Sequence, residues 1–305
     1  WVSIGESVTY SVVLTVPDDG ALTDAVLTLD LETWFTFVDL VSVDFGPTIS
    51  SSLGSAWSIS YVLSGNQVII DLWVLSNSDI NTLTTEWVTI NYNVRVDTIL
   101  SNIAWHDLSV DAWLSWSDTQ ISAISPEVEI IEAAMQVSKS APVTNADSSR
   151  TIMYTVEINH ASWTTHDAYD VIFEDDLAGV GMQYVTWSLI VTGSSPVIVS
   201  TDPLSLEWST FWTGESVLFT FEARLHDSVE TPVTVANIGE LTRTSLSWNS
   251  LFERNGVDYI VSDQADTLFS SQWTQFKELI TTTLVDTTDP YVTIGEEMIY
   301  RLAIE

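Results

Sequence analysis

The chain has 305 residues, of which 8 are Lys or Arg and 42 are Asp or Glu, so its formal net charge is −34 at pH 7. A charge of this sign repels a phosphate backbone, which excludes nucleic acid as a partner and favours cationic partners or divalent ions. The sequence contains no cysteine, so disulfide bonds and thiolate metal sites are excluded. Its apolar stretches are shorter than the ~18 residues that a transmembrane helix needs, so we predict no transmembrane segment.

One strand pattern occurs three times along the chain, in residues 8–14, 152–158 and 298–304. The aligned residues Tyr10, Tyr154 and Tyr300 are separated by roughly 145 positions, which is the size of a domain rather than of a solenoid repeat. The pattern therefore predicts a tandem array of domains. Because the third copy contains little more than this strand, we expect the chain to be part of a longer protein or a subunit completed by a neighbour.

A second pair of matching strands lies at residues 88–96 and 217–225, and apolar residues alternate with polar ones throughout. This period of two, broken by short turns rich in Gly, Pro, Asn and Asp, predicts an all-β fold of tandem immunoglobulin-like Greek-key β-sandwich domains. We place the first domain at 1–131, lacking its first strand, the second at 132–274, and the first strands of a third repeat at 275–305. The linkers are too short for free rotation, so a semi-rigid rod is expected.

The opening of the repeat resembles that of a known family. Residues 3–10 and 293–300 contain the sequence Ile-Gly-Glu before the strand that holds the aligned tyrosine. This motif is similar to the start of bacterial cell-surface tandem repeat domains, which include isopeptide-forming fimbrial domains, and the similarity continues through residues 137–139, 167–175 and 235–237. The resemblance implies immunoglobulin-like sandwiches in a secreted or surface-attached stalk. The family's Asp-x-Leu-Pro-x-Gly turn is replaced in both domains.

The same resemblance implies an intramolecular amide bond between Lys139 and Asn237, assisted by Asp175. Burial would lower the lysine pKa so that a neutral amine attacks the Asn side-chain carbon, while a protonated Asp175 polarises the carbonyl group. The alternative is a surface lysine at the start of a strand and an Asn in a turn. The first domain has no corresponding lysine, and Leu29 stands in place of the acid.

Acidic pairs near the domain ends form a candidate calcium site. Asp18 with Asp19, and Asp286 with Asp289, offer carboxylate oxygens of the kind that a hard cation prefers. The spacing does not match a known calcium loop, and the alternative is that these residues are solvated turns. Calcium is the one cofactor that the sequence suggests.

The 14 tryptophans have two interpretations. Trp34, Trp163 and Trp212 fall where turns prefer small or polar residues, so they either contact other subunits or stack on sugars in a glycan site. Enzymatic function is not predicted, because the four histidines have no metal-ligand spacing and the sequence has neither a nucleophile elbow nor a Gly-rich phosphate loop.

These observations predict a non-enzymatic structural module of an extracellular or cell-surface protein. We expect it to build a filament, sheath or stalk, with copies of itself or further repeats as partners, and the strand at 298–304 to be free to add to a neighbouring sheet. The alternative function is that of an adhesin that binds glycans or a host cell surface through its Trp-bearing loops.

Overall fold

The computed structural model describes residues 1–54, 59–80, 86–145, 149–164, 166–247, 251–270, 275–282 and 297–304. Most of these residues lie in β-strands, and the helical segments among them are single 3-10 turns. The predicted all-β fold of tandem β-sandwiches is therefore confirmed. Nothing in the described part of the chain forms a helix of the length and apolar character needed to cross a membrane.

The first β-sandwich contains twelve strands. Strands β2, β8 and β4 form one sheet, and the order β11-β10-β3-β7-β5, with β6 beside β7, forms the facing sheet. Strands β1, β12 and β9 make a small third sheet at one end. The bounds are β1 Val2–Ser3, β2 Ser7–Thr15, β3 Ala21–Leu31, β4 Phe35–Phe45, β5 Ile49–Ser51, β6 Tyr61–Ser64, β7 Gln67–Asn77, β8 Trp87–Val96, β9 Asp107–Leu108, β10 Val110–Trp116, β11 Thr119–Ile124 and β12 Val128–Ile131.

The second β-sandwich contains eleven strands in two sheets. One sheet has the order β13-β15-β21-β17, with β18 also on β21, and the other has the order β14-β23-β22-β16-β20-β19. Two 3-10 turns lie at Ala178–Val180 and Gly256–Asp258. The strand bounds are β13 Met135–Ser140, β14 Thr144–Asn145, β15 Thr151–His160, β16 Ala168–Asp175, β17 Met182–Tyr184, β18 Ile190–Gly193, β19 Val197–Thr201, β20 Leu204–Phe211, β21 Ser216–Leu225, β22 Val233–Thr244 and β23 Val261–Phe269.

Each sandwich has its own hydrophobic core, built by the alternation seen in the sequence. In β2, the aligned Tyr10 is buried while Val13, on the other face, is exposed. In β15, the equivalent Tyr154 is fully buried and stacks on Phe221 of β21. One buried cluster runs from Val2 to Ile130 and a separate one from Ala133 to Phe269. The domain boundaries at 131 and 274 themselves stay a prediction.

The C-terminal segment corrects one expectation. The strand predicted to be free is β25 (Met298–Ile304), and it pairs antiparallel with β24 (Gln275–Thr282) in a separate two-stranded sheet. The sequence analysis missed β24 because its apolar residues are few and a long segment separates it from β25. The residues between these two strands lie outside the described part of the chain.

A buried arginine joins the two sandwiches. Arg254, from the second sandwich, donates to the carbonyl oxygens of Ile99 and Asn102 in the first, both at 2.7 Å. Its other guanidinium nitrogen contacts Glu132 at 2.8 Å, in the segment that connects the sandwiches, and the Tyr259 hydroxyl donates to the same carboxylate oxygen. The guanidinium is therefore held by three points, two of them in the neighbouring sandwich.

Further contacts surround this arginine. The Ser245 hydroxyl donates to the carbonyl oxygen of Ile4 at 2.8 Å, and the guanidinium of Arg95 lies 3.5 Å from the ring centroid of Phe252. A Cβ atom at Gly5 would lie 2.2 Å from the Phe252 carbonyl oxygen, so the two backbones approach closely only because this residue is glycine. The junction is thus a packed interface.

We expect Arg254→Ala to lower the free energy of unfolding by about 3–5 kcal/mol, because it leaves the buried Glu132 carboxylate without its charged partner. The matched control is Arg224→Ala, which removes an exposed ion pair with Asp227 and should cost less than about 1 kcal/mol. Urea unfolding followed by tryptophan fluorescence measures both. Equal effects of the two substitutions would contradict the role given to Arg254.

Candidate functional site

Lys139 lies in the first strand of the second sandwich with its side chain in the core. Strand β13 pairs with β15 so that Lys139 is opposite Val156, and the Lys139 backbone N–H donates to Asp263 Oδ2 at 2.7 Å. Asp263 is on β23 of the facing sheet, so this bond fixes β13 across the sandwich. The lysine side chain is completely buried, and its Nζ lies 4.8 Å from the centroid of the Tyr154 ring.

The two other predicted residues come from the facing sheet and meet this lysine. Asp175 is the last residue of β16 and Asn237 lies on the adjacent β22, both with no exposed surface. Lys139 Nζ contacts Asp175 Oδ2 at 2.6 Å, and Asn237 Nδ2 donates to the same oxygen at 3.4 Å. The structure therefore brings all three residues together around one carboxylate oxygen, between the two sheets.

Burial makes both charged forms unfavourable at this site. It lowers the pKa of the Lys139 amine, against the opposing effect of the Asp175 carboxylate. It raises the pKa of the Asp175 carboxyl group, against the effect of Lys139 and of the hydrogen bond from Asn237. Transfer of one proton from the amine to the carboxylate leaves both groups neutral and removes two buried charges. A neutral amine next to a carboxylic acid is the state that nucleophilic attack requires.

Two oxygen atoms of the cluster are left over. Asp175 Oδ1 and Asn237 Oδ1 are buried and have no hydrogen-bond partner among the described residues. Such orphaned acceptors are costly in a core. A half-turn of the Asn237 amide exchanges its nitrogen and oxygen, after which a protonated Asp175 can donate to the amide oxygen. That hydrogen bond polarises the carbonyl group towards attack by Lys139.

Gly239, a residue that the sequence analysis missed, makes room for the lysine. It lies on β22 directly opposite Asp175 of β16, two positions after Asn237 on the same face of the strand. A Cβ atom there would lie 2.7 Å from the ring of Phe173 and 3.3 Å from Cδ of Lys139. Its one sequence signal is a glycine inside a strand, which often marks a close approach.

The first sandwich has no such cluster. On the strand that corresponds to β16, Leu29 and its inward-facing neighbours Leu27 and Leu31 are buried. Packing there is apolar, and the described residues place no lysine in that core. Only the second sandwich assembles the chemistry that the sequence predicted.

Calcium binding stays a prediction. Asp18 and Asp19 lie in the turn after β2, where the Asp19 backbone N–H donates to the carbonyl oxygen of Asp79. Asp286 and Asp289 lie outside the described residues. Among the residues that are described, no group of three or more His, Asp or Glu side chains is arranged to hold a metal ion.

The three tryptophans singled out by sequence have different environments. Trp34 packs against the first core, with its ring edge on His106. Trp163 and Trp212 are more than half exposed. Trp163 also shares a shallow cleft with the exposed Trp105 near the junction of the sandwiches, so two indole rings are open to solvent on one surface.

No protein-family model and no curated protein sequence matches the chain. Among solved structures, it is similar to the C-terminal domain of the Streptococcus agalactiae antigen I/II polypeptide BspA, with 8% identity over 88% of this chain and 94% of that one and a TM-score of 0.46. The C-terminal domain of the Streptococcus pyogenes antigen I/II-family protein AspA gives 10% identity, coverages of 88% and 93%, and a TM-score of 0.46. Domains D2 and D3 of the Corynebacterium diphtheriae major pilin SpaD give 12%, coverages of 86% and 84%, and a TM-score of 0.30.

We expect Gly239→Ala to destabilise the second sandwich by about 1–3 kcal/mol, because the added methyl group overlaps the Phe173 ring and the lysine side chain. The control is Ile238→Ala, on the same strand but half exposed on the other face, which should cost less. Chemical unfolding measures the difference. A Gly239→Ala protein as stable as the wild type would show that this space is not needed.

The calcium prediction has a direct test. Excess chelator should lower the Tm of the purified chain if Asp18, Asp19, Asp286 and Asp289 hold calcium, since removal of a ligand that binds only the folded state removes its stabilisation. Re-addition of calcium, but not of magnesium, should restore the Tm. An unchanged melting curve in chelator would remove calcium from the account.

Proposed function

We propose that this chain is a non-enzymatic structural module of a secreted or surface-attached multi-domain protein that forms an extracellular filament, sheath or stalk. The observation that carries the proposal is the buried cluster of Lys139, Asp175 and Asn237, which joins the two sheets of the second sandwich. A self-formed amide bond at this place has a mechanical use and needs no substrate. The packed junction around Arg254 adds stiffness between the sandwiches.

The proposed bond forms by condensation within the chain. Neutral Lys139 Nζ attacks Cγ of Asn237, Asp175 donates its proton to the amide oxygen, and the tetrahedral intermediate loses Nδ2 as ammonia. The amine gives up two protons. One returns to Asp175 and the other leaves on the ammonia, after the carbonyl proton is passed back through the same carboxylate. No oxidant and no second reactant is consumed.

The bond would resist tension because of where its ends lie. Lys139 is on β13 of one sheet and Asn237 is on β22 of the other. A covalent bond between them closes a loop on the order of 100 residues, and a crosslink of that span stabilises a fold by about 4–5 kcal/mol through the entropy of the unfolded chain. Unfolding under load then cannot separate the two sheets at this point.

We expect the purified chain to have a mass lower than its sequence mass by one ammonia. Asn237→Ala should restore the full mass, because it removes the carbon that is attacked while keeping the Lys139–Asp175 contact. The control Asn93→Ala, on an exposed position of β8, should keep the deficit. Since cyclisation of an Asn onto its own backbone also releases ammonia, protease digestion must yield a branched peptide that joins the strands of Lys139 and Asn237. Full mass in the wild type would contradict the bond.

A glycan-binding adhesin is the second candidate, favoured by the exposed indoles of Trp105 and Trp163 on one surface. Negative-stain imaging and a glycan array separate the two functions. The structural role predicts ordered filaments and no retained sugar. Dispersed single molecules that bind a sugar, with binding lost in Trp163→Ala, would favour the adhesin instead.

A further inference from the structure

The first sandwich has an open sheet edge where the second has a strand. In the second sandwich, β15 is flanked by β13 on one side and β21 on the other. Its counterpart β2, aligned through Tyr10 and Tyr154, pairs with β8 alone among the described strands. Strand β2 therefore presents a row of unpaired backbone groups, which is a template for strand addition.

Side-chain burial shows the shape of the missing strand. Val12 of β2 is half-buried, whereas its counterpart Val156 of β15 is 0% exposed. On the facing sheet, Ile121 of β11 lies opposite the buried Leu114 and so points to the core side, yet it is 53% exposed. On the corresponding strand β23, the core-side Thr267 is 0% exposed. An apolar slot therefore remains between β2 and β11, at the place that β13 fills in the second sandwich.

We propose that this slot is filled by strand β24 of a second copy of the chain, which links copies head to tail. The inference rests on the proposed assembling role and specifies its contact. Strand β24 occupies the position of β13 in the adjacent repeat: Lys277 is opposite Leu302 of β25, just as Lys139 is opposite Val156 of β15, and both partners lie two residues after the aligned tyrosine. These are the two lysines of the whole sequence.

The second copy is favoured by the state of β24 and by charge. Within the described residues, β24 pairs only with β25, in a two-stranded sheet that is marginal by itself in water. Its other edge is open, so addition to β2 satisfies both edges. Strands β2 and β11 contain no charged residue, and β24 contains one lysine and one glutamate, in a chain of net charge −34. These are surfaces on which two copies of such an acidic chain can meet without strong repulsion.

The test uses the full chain and two matched substitutions. Ile121→Lys places a charge on the core side of β11, where it stays in water in the isolated chain but would be buried under the incoming strand. Ile124→Lys makes the same change on the same strand, on the opposite face, at a position 70% exposed. Sedimentation velocity over a range of concentrations measures association, with and without a synthetic peptide of residues 275–282.

We expect the wild type and Ile124→Lys to associate with rising concentration, Ile121→Lys to associate at least roughly tenfold more weakly, and the peptide to dissociate the wild-type assemblies. A monomer at every concentration, equal association of the two variants, or assemblies that the peptide leaves intact would each overturn the proposal. Filaments that still form in Ile121→Lys would overturn this contact alone and leave the structural function standing, and the branched peptide tests the amide bond independently.

Discussion

The second sandwich depends on how it manages a lysine and an aspartate that have been removed from water. Lys139 and Asp175 come from opposite sheets and share one short contact in a core where neither has exposed surface. A single unpaired charge in this place would cost several kcal/mol, so the two residues must pair, share a proton or react. The neighbouring Asn237 supplies the third possibility, because its amide bonds to the same oxygen of Asp175. The geometry that solves the problem of burial is also the geometry of condensation.

The two sandwiches close their cores by different means. The second contains its leading strand, and that strand carries the lysine into the core. The first has leucines at the inward positions, no lysine and an open edge at β2. One repeat is thus complete and suited to an internal bond, while the other has a slot of the shape that the same kind of strand fills. A chain with one slot and one matching strand can form a linear assembly from copies of a single component.

Much of the fold could be predicted from sequence because the strands alternate strictly. Tyr10, Tyr154 and Tyr300 fixed the register of three strands, and the structure confirms all three. The gathering of Lys139, Asp175 and Asn237 followed from resemblance to a family rather than from spacing, since residues from three strands meet only through the packing of two sheets. The Arg254 junction was missed, because a single arginine in an irregular segment has no periodic signal. The pairing of β25 with β24 was also missed, since few apolar residues mark β24.

The most direct measurement of the central claim is the stretching of a single chain held at its two ends. If Lys139 and Asn237 are joined, the residues between them cannot extend, and the fully unfolded chain should fall short of its expected length by roughly 300–350 Å, given about 3.3–3.6 Å per extended residue. The Asn237→Ala chain should recover that length. Equal lengths for the two chains would contradict the account.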